Sequence, residues 1–398
     1  MSEIKQLINE LCPEGVEWKK LSELGTFYGG LTGKSKKDFG SGNAKFITYM
    51  NVYSNPALDL AVTDTVQIAE GEKQNKIQYA DILFTGSSET PEESGMTSVV
   101  TQEVQEDYYL NSFCFGLRLD NPELFNADFL KHYFRSYEAR KAITRTASGV
   151  TRFNVSKAKL ANFEIPVPPM EVQRKIVEIL DNFTELEAEL EAELEARRKQ
   201  YEYYRNQLLT FDKVGGARFD VKWMTLGEVA EIGTGCSNTN EELDEGEYPF
   251  YVRSQIVRYK NEYEFDETAI ITSGDGVGVG KVFHYVEGKY ALHQRAYRIH
   301  VIDDTTVPKY LFFYMRTFFY SYIAKNQYKS SVQSIRRPML NKFLIPIPSL
   351  SEQERIVSIL DRFEALTTDL QSGLPAEIEA RRKQYEYYRE KLLNFKRI

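Results

Sequence analysis

Ile165-Pro-Val-Pro-Pro-Met-Glu-Val-Gln-Arg-Lys-Ile-Val-Glu-Ile-Leu-Asp-Asn-Phe183 returns later in the chain as Ile345-Pro-Ile-Pro-Ser-Leu-Ser-Glu-Gln-Glu-Arg-Ile-Val-Ser-Ile-Leu-Asp-Arg-Phe363. Glu195-Ala-Arg-Arg-Lys-Gln-Tyr-Glu-Tyr-Tyr-Arg205 returns unchanged as residues 379–389. The first pair is offset by 180 residues and the second by 184, so the later copy has gained four residues, about one helical turn. Repetition on this scale means one architecture built twice. Ile176, Ile179, Phe183, Leu186, Leu190 and Leu194 step by three and four, as in the seam of a coiled coil, and the run continues through Tyr201, Tyr204 and Leu208. Ile356, Ile359, Phe363, Leu366, Leu370 and Leu374 repeat that seam. The spacing predicts an unbroken helix from about Glu171 to Leu209, roughly 60 Å long. Pro166, Pro168 and Pro169 end the strand before it. Ser351 with Glu354 offers a capping box to the second helix, and Gly373 with Pro375 should break that helix within its added turn.

Outward from the helices lie two segments of comparable size. Each begins with short β-rich runs, Lys45-Phe-Ile-Thr-Tyr49 and Asp81-Ile-Leu-Phe-Thr85 in one, Phe250-Tyr-Val252 and Ala269-Ile-Ile-Thr272 in the other. Each then passes into an aromatic helical stretch, Phe129 to Ile143 and Tyr310 to Ile323. The expected class is α+β: two mixed α/β modules separated by two long helices packed as an antiparallel coiled coil, with a pseudo-twofold internal repeat. Its segments are an N-terminal piece (1–17), a first module (18–164), a central helix (165–210), a linker (211–222), a second module (223–344) and a C-terminal helix (345–398).

Composition narrows the function classes. The 398 residues include 42% hydrophobic side chains, too many for a disordered chain, and the net charge of −8 argues against indiscriminate coating of nucleic acid. Cys12, Cys114 and Cys236 stand too far apart for a thiolate zinc site, and His132, His284, His293 and His300 lack ligand spacing. There is no apolar leader and no run of 18 apolar residues, so a cytoplasmic protein is expected. Gly274-Asp-Gly-Val-Gly-Val-Gly280 invites a nucleotide-loop reading, but Lys281-Val-Phe-His-Tyr-Val286 continues as a strand; a hairpin turn is expected instead. No nucleophile with a partnering base stands out, which argues against an independent hydrolase.

The pattern of sameness and difference carries the functional reading. A coiled-coil seam constrains only its buried positions, so packing does not require 195–205 and 379–389 to match on their outer faces. The modules meanwhile are only loosely alike. Two identical docking faces joined to two unlike modules describe an adaptor, and DNA suits it because duplex grooves recur about every 34 Å. The duplicated motif, set around two variable modules over nearly the whole chain, closely resembles the specificity subunit of type I restriction-modification enzymes. That resemblance implies two target-recognition domains on the halves of a split DNA site, with the helices setting their separation. It also implies two adenine methyltransferase subunits docked on the helices and motor-nuclease restriction subunits in the full complex. S-adenosylmethionine would belong to the methyltransferase partner, ATP and Mg to the restriction partner, and no catalysis to this chain. The rivals are an orphan specificity subunit serving methylation alone and a coiled-coil scaffold for proteins without DNA specificity.

Candidate DNA-reading residues fall at matching places in the two modules. Lys34, Lys36 and Lys37 on a glycine-rich loop suit phosphate, and Tyr49 and Asn51 follow at a strand end, where Asn51 could pair with adenine. Arg253, Gln255 and Arg258 are their counterparts. Ser87, Ser88 and Thr90 match Asp275, and His293, Gln294 and Arg295 take the place of Asn111-Ser112-Phe113. A basic stretch from Lys131 through Arg135, Arg140, Lys141, Arg145, Arg152 and Asn154 in the first module is repeated by Lys329, Gln333, Arg336 and Arg337 in the second. The partner face is expected at Arg197, Arg198, Tyr201, Tyr203, Tyr204 and Arg205 and at Arg381, Arg382, Tyr385, Tyr387, Tyr388 and Arg389. Four neighbouring positions cannot all turn one way on a helix, so some of these tyrosines should lie in the intramolecular seam. The alternating ladder Glu185 to Glu195 reads as a solvated helix exterior.

Overall fold

A computed structural model of the chain describes residues 2–211, 221–326, 334–369 and 371–398. It divides into two compact units, Met1–Glu191 with Ile378–Ile398, and Ala192–Glu377. Each unit therefore holds one module together with parts of both helical regions. The central helix is continuous over Met170–Leu209, 40 residues, as its spacing predicts. The C-terminal helical region is broken as expected, into Leu350–Thr368 and Leu374–Leu392. Gly373 sits at the break, where a Cβ would stand 2.6 Å from the Ala365 carbonyl oxygen, so a side chain there would collide with the end of the preceding helix. The cap of Leu350–Thr368 is Ser349, which accepts from the Glu352 amide, and not Ser351.

In the first unit, the module has a four-stranded antiparallel sheet in the order Gly25–Gly29, Cys114–Leu119, Ile82–Thr85, Thr97–Val99. A second sheet places Phe39–Ile47 between Thr65–Val66 and Tyr108–Leu110, the latter pairing being parallel. The second unit repeats this plan. Its antiparallel sheet runs Ala230–Thr234, Ala296–Val301, Ala269–Ser273, Phe283–Val286, and Tyr248–Tyr251 pairs in parallel with Lys289–Leu292. Each module is closed at its base by a two-stranded ribbon, with Trp18 opposite Pro166 in one and Trp223 opposite Pro346 in the other. Proline is tolerated there because an edge position needs no amide donor. The glycine run 274–280 is the turn between two antiparallel strands, with Gly276 at φ +83°, as its sequence suggested.

The repeated glutamine of the helix motif fixes each module to its helix. Gln173 and Gln353 are both fully buried. Gln173 donates through Nε2 to the carbonyls of Leu124 (3.0 Å) and Pro168 (2.8 Å) and accepts from the Asn126 amide (2.8 Å). Gln353 makes the same three bonds, to Thr305 O, Pro348 O and Val307 N, each at 2.8 Å. Asn126 then caps Ala127–Tyr133, and the Val307 amide precedes Pro308–Asn326. The aromatic stretch Phe129 to Ile143 is two helices rather than one, because Ser136 caps a new start at Tyr137.

The helices pack by this repeat within each unit. In the first, Val172, Ile176 and Leu180 are buried with Phe129 and Phe134, Phe183 stacks on Tyr388 (5.3 Å, 22°), and Arg382 pairs with Glu187 and Glu191 at 2.5 Å. These contacts make the two helices antiparallel there. In the second, Ile356 and Leu360 enter the core and Phe363 meets Tyr204 (6.0 Å), which is the Phe183–Tyr388 pair over again. The apolar seam is shorter than its spacing suggested: Leu186 is 43% exposed and Leu366 38%, and Leu370 lies outside the described residues. Among the described residues no helix is long and apolar enough to cross a membrane.

Candidate nucleic-acid interface

In the first module the expected reading residues divide into those committed to the fold and those left on the surface. Lys34 is committed: it pairs with Glu72 (2.6 Å), donates to the Gln67 carbonyl (2.7 Å), and holds the Glu72 carboxyl down to about 2. Lys36 and Lys37 are exposed on a short turn closed by Ser35 and Asp38. Asn51 departs from the expectation. It lies in a short helix, Tyr49–Ser54, that replaces the anticipated strand end, and it is buried. Its Nδ2 donates to Asp59 O (2.8 Å) and its Oδ1 accepts from Asn55, so its amide is spent on holding a loop. Tyr49 is half-buried and donates to Ser87 O (2.8 Å). Ser87 and Ser88 are buried, Ser88 donating to Glu93, while Thr90 is exposed.

The basic stretch of this module separates the same way. Arg135 and Arg140, expected on the surface, are half-buried clamps. Arg135 donates to the carbonyls of Thr97 (2.8 Å) and Tyr53 (2.9 Å), and Arg140 to those of Glu92 (3.0 Å) and Ser94 (2.7 Å). Burial pulls both guanidiniums down to about 10, which leaves them charged at neutral pH under the 92–97 loop. Arg145, Arg152 and Asn154 are exposed, as are Lys157 and Lys159. Strand Phe153–Val155 sets Asn154 opposite Ser87, and Arg152 lies 5.6 Å over the exposed ring of Phe113. Phe113, Ser87, Asn154 and Lys157 line one open cavity of about 340 Å³ with Gly29 and Gly30. In sequence Phe113 stands only as the counterpart of Arg295 in the triplet Asn111-Ser112-Phe113; its exposure is a tertiary property without a local sequence signal.

The second module gathers a different set. Asp275 bridges two arginines, Arg253 at 2.6 Å and Arg295 at 3.3 Å. Arg253, Gln294 and Arg295 line a cavity of about 420 Å³ with Asn238 and Thr239, and Gln294 bonds the Asn238 side chain. Arg258 is held by Glu242 and Asp244. Gln255 is apart from this group, in a cavity of about 460 Å³ with Lys281, His284 and Arg316. His293, expected to read bases, is buried, and its Nδ1 accepts the Arg295 amide at 3.0 Å, so it shapes the turn instead. Burial, with the charges of Arg253 and Arg295, holds its imidazole below the usual range. Arg336 is exposed, Arg337 donates to the Ile232 carbonyl, and Lys329 and Gln333 lie outside the described residues.

On the helices, the expected partner face is partly taken up by the fold. Tyr201 is buried against Phe363, Tyr385 and Tyr388 are half-buried, and Arg382 is tied to Glu187 and Glu191. Arg197 pairs with Glu193, Arg381 donates to Gln384, Arg389 to Glu390, and Arg205 lies over the Tyr201 ring. What repeats on the outside is Tyr203 and Tyr387, each 58% exposed and each edge-on to its neighbour, Tyr204 or Tyr388. Arg198 and Tyr204 are also exposed.

One contrast in this motif is testable. Tyr385 Oη lies 2.9 Å from His132 Nδ1, whose Nε2 is 2.7 Å from Asp181, and burial holds that imidazole below its usual range. Six residues beyond the Gln-bonded amide of Val307, the place of His132 is taken by Phe313, and the Tyr201 hydroxyl is buried without a well-formed hydrogen bond. Tyr385→Phe should therefore cost about 1–3 kcal/mol, because it strands a buried ring nitrogen, whereas Tyr201→Phe should be neutral or stabilising. Thermal melts of the two variants check this, and equal losses would contradict it.

The repeated helix motif and the two-sheet module that each unit carries define an internally duplicated, modular protein. The chain belongs to the family of type I restriction modification DNA specificity domains, whose model matches residues 13–196 and 220–380. It is thus a type I restriction-modification specificity subunit, a family whose role is recognition of a DNA target. A type I restriction enzyme specificity subunit of Haemophilus influenzae is 35% identical over 70% of this chain and 74% of its own length. The specificity subunit of a type I restriction enzyme of Escherichia coli is 32% identical over 62% of this chain and 65% of that one. The crystal structure of a type I restriction-modification S subunit from M. genitalium shares the fold, with a TM-score of 0.56 at 15% identity, over 95% of this chain and 96% of that one.

Proposed function

We propose that this chain is the non-catalytic, DNA-reading member of a type I restriction-modification complex. Modules 18–164 and 223–344 each read one half of a bipartite duplex site, and the repeated helices dock two methyltransferase subunits and set the gap between the halves. The observation that carries this reading is the identity of 195–205 and 379–389 despite different intramolecular duties. Tyr385 bonds His132 where Tyr201 has no equivalent, and Arg382, exposed like Arg198, is ion-paired to Glu187 and Glu191 on the central helix. Internal packing alone would let such residues diverge; a shared partner surface holds them alike. S-adenosylmethionine is then bound by the methyltransferase partners, and ATP with Mg by restriction partners. Because a stacked base cannot enter an active site, the adenine is flipped toward the docked methyltransferase while this chain holds the flanking duplex.

Arg152 and Arg336 are exposed cations of the repeated basic stretch, and on this reading they contact phosphate in their modules. Changing either to Gln in the assembled methyltransferase complex should weaken duplex binding on all sequences and reduce the salt slope by about one. Unchanged affinity and slope in both variants would contradict their assignment as phosphate contacts, and a complex with no sequence preference at all would favour the protein-scaffold alternative.

A further inference from the structure

Each module joins its two sheets through a three-residue turn, and the two turns are built alike. Tyr108–Leu110 leads through residues 111–113 into Cys114–Leu119, and Lys289–Leu292 leads through 293–295 into Ala296–Val301. Cys114 N bonds Asn111 O, and Ala296 N bonds His293 O, both at 2.9 Å. Asn111 Oδ1 accepts the Phe113 amide (2.8 Å) just as His293 Nδ1 accepts that of Arg295 (3.0 Å). The carbonyls of Phe113 and Arg295 take the amides of Gly86 and Gly274 at 2.7 and 2.9 Å. The first residue of each turn is therefore scaffold.

The next two residues face outward and differ in chemistry. Ser112-Phe113 is presented in the first module, with Phe113 57% exposed. Gln294-Arg295 is presented in the second, with the Arg295 side chain 61% exposed. A Phe ring left so far in water adds little to folding, and an arginine so exposed pays rotamer entropy to stay in one place. Asp275 supplies that fixation: it ties Arg295 to Arg253, which would otherwise repel each other, and occupies only one N–H of each fork that the ion pairs define. Beside each turn lies a cavity, about 340 Å³ in the first module and about 420 Å³ in the second.

We infer that these turns are the base-reading tips of the two modules: Arg295, positioned by Asp275, reads a guanine in one half-site, and Phe113 reads the thymine methyl of an A·T pair in the other. The chemistry follows from the groove. A guanidinium fork matches the O6 and N7 acceptors of guanine, and an apolar ring matches the thymine methyl. The inference rests on the reading of each module as a half-site reader.

Genome-wide mapping of methylated adenine, in cells expressing the full chain with its methyltransferase subunits, tests it. Arg295→Ala should reduce discrimination about 10–100-fold at one guanine of one half-site and leave the other half-site unchanged. Phe113→Ala should relax one A·T position in the opposite half-site. Asp275→Asn should loosen the same guanine as Arg295→Ala, whereas a merely structural role would lower methylation at every site without altering the motif. Arg295→Gln and Phe113→Leu, with thermal melts, serve where an alanine variant does not accumulate. Motifs identical to the parent in both half-sites, with methylation retained, would overturn the inference. Failure of a whole exchange of 223–344 to alter either half-site would instead overturn the half-site reading itself.

Discussion

Gln173→Leu should cost about 3–5 kcal/mol of stability, the largest loss expected from a single substitution outside the apolar core. Leucine fills a similar volume but offers neither donor nor acceptor. The carbonyls of Leu124 and Pro168 and the amide of Asn126 would all lose the partner they have in Gln173. Each unsatisfied buried group costs about 1–3 kcal/mol, partly offset by the apolar side chain. A typical domain has only about 5–15 kcal/mol to lose. Because Gln353 makes the matching bonds in the second unit, Gln353→Leu should repeat the effect there. Denaturant unfolding followed by hydrogen exchange would show the loss in the unit that carries the change. An unaltered midpoint for both variants would mean that the clamps add nothing to the fold.

Removing the outward rings at Tyr203 and Tyr387 should abolish capture of methyltransferase subunits. Both are 58% exposed, and both are held in place from the next turn, Tyr203 by Gln207 Nε2 (2.8 Å) and Tyr387 by Lys391 Nζ (3.0 Å). Rings fixed in this way lose little entropy on docking, and interface tyrosines commonly carry about 2–4 kcal/mol, so each Tyr→Ala change should weaken its own site about 30- to 1000-fold. If the repeated helices dock two methyltransferase subunits as proposed, a single change should leave complexes with one, and the double change should leave none. Mass measurement of the copurified complex reads this directly. Two subunits retained on the double variant would place the docking surface elsewhere.

The large outlines were legible because they rest on periodicity. The step of three and four from Ile176 onward, the four added residues and the Gly373–Pro375 pair are local signals, and the helices follow them. What escaped was polar burial, which depends on distant partners. Gln173 reads in sequence as one more polar residue on a helix, since the carbonyls it satisfies lie up to 49 residues away. Arg135 and Arg140 read as a basic surface for the same reason: the carbonyls that neutralise their desolvation come from the 92–97 loop. Asn51 is obscured by its neighbours. Alternation in Lys45–Tyr49 suggests a strand running on, but Thr48 caps a helix by accepting the Asn51 amide (3.2 Å). His293 and Asn111 share a turn-capping duty that no similarity of residue type announces.

Exchange of residues 223–344 for the corresponding module of another specificity subunit, followed by sequencing of methylated adenines in the host genome, bears most directly on the whole account. Two unlike readers on one shared frame predict a bipartite motif in which one half is replaced, while the other half and the gap between them stay as they were. A motif altered in both halves, or in neither, would contradict it.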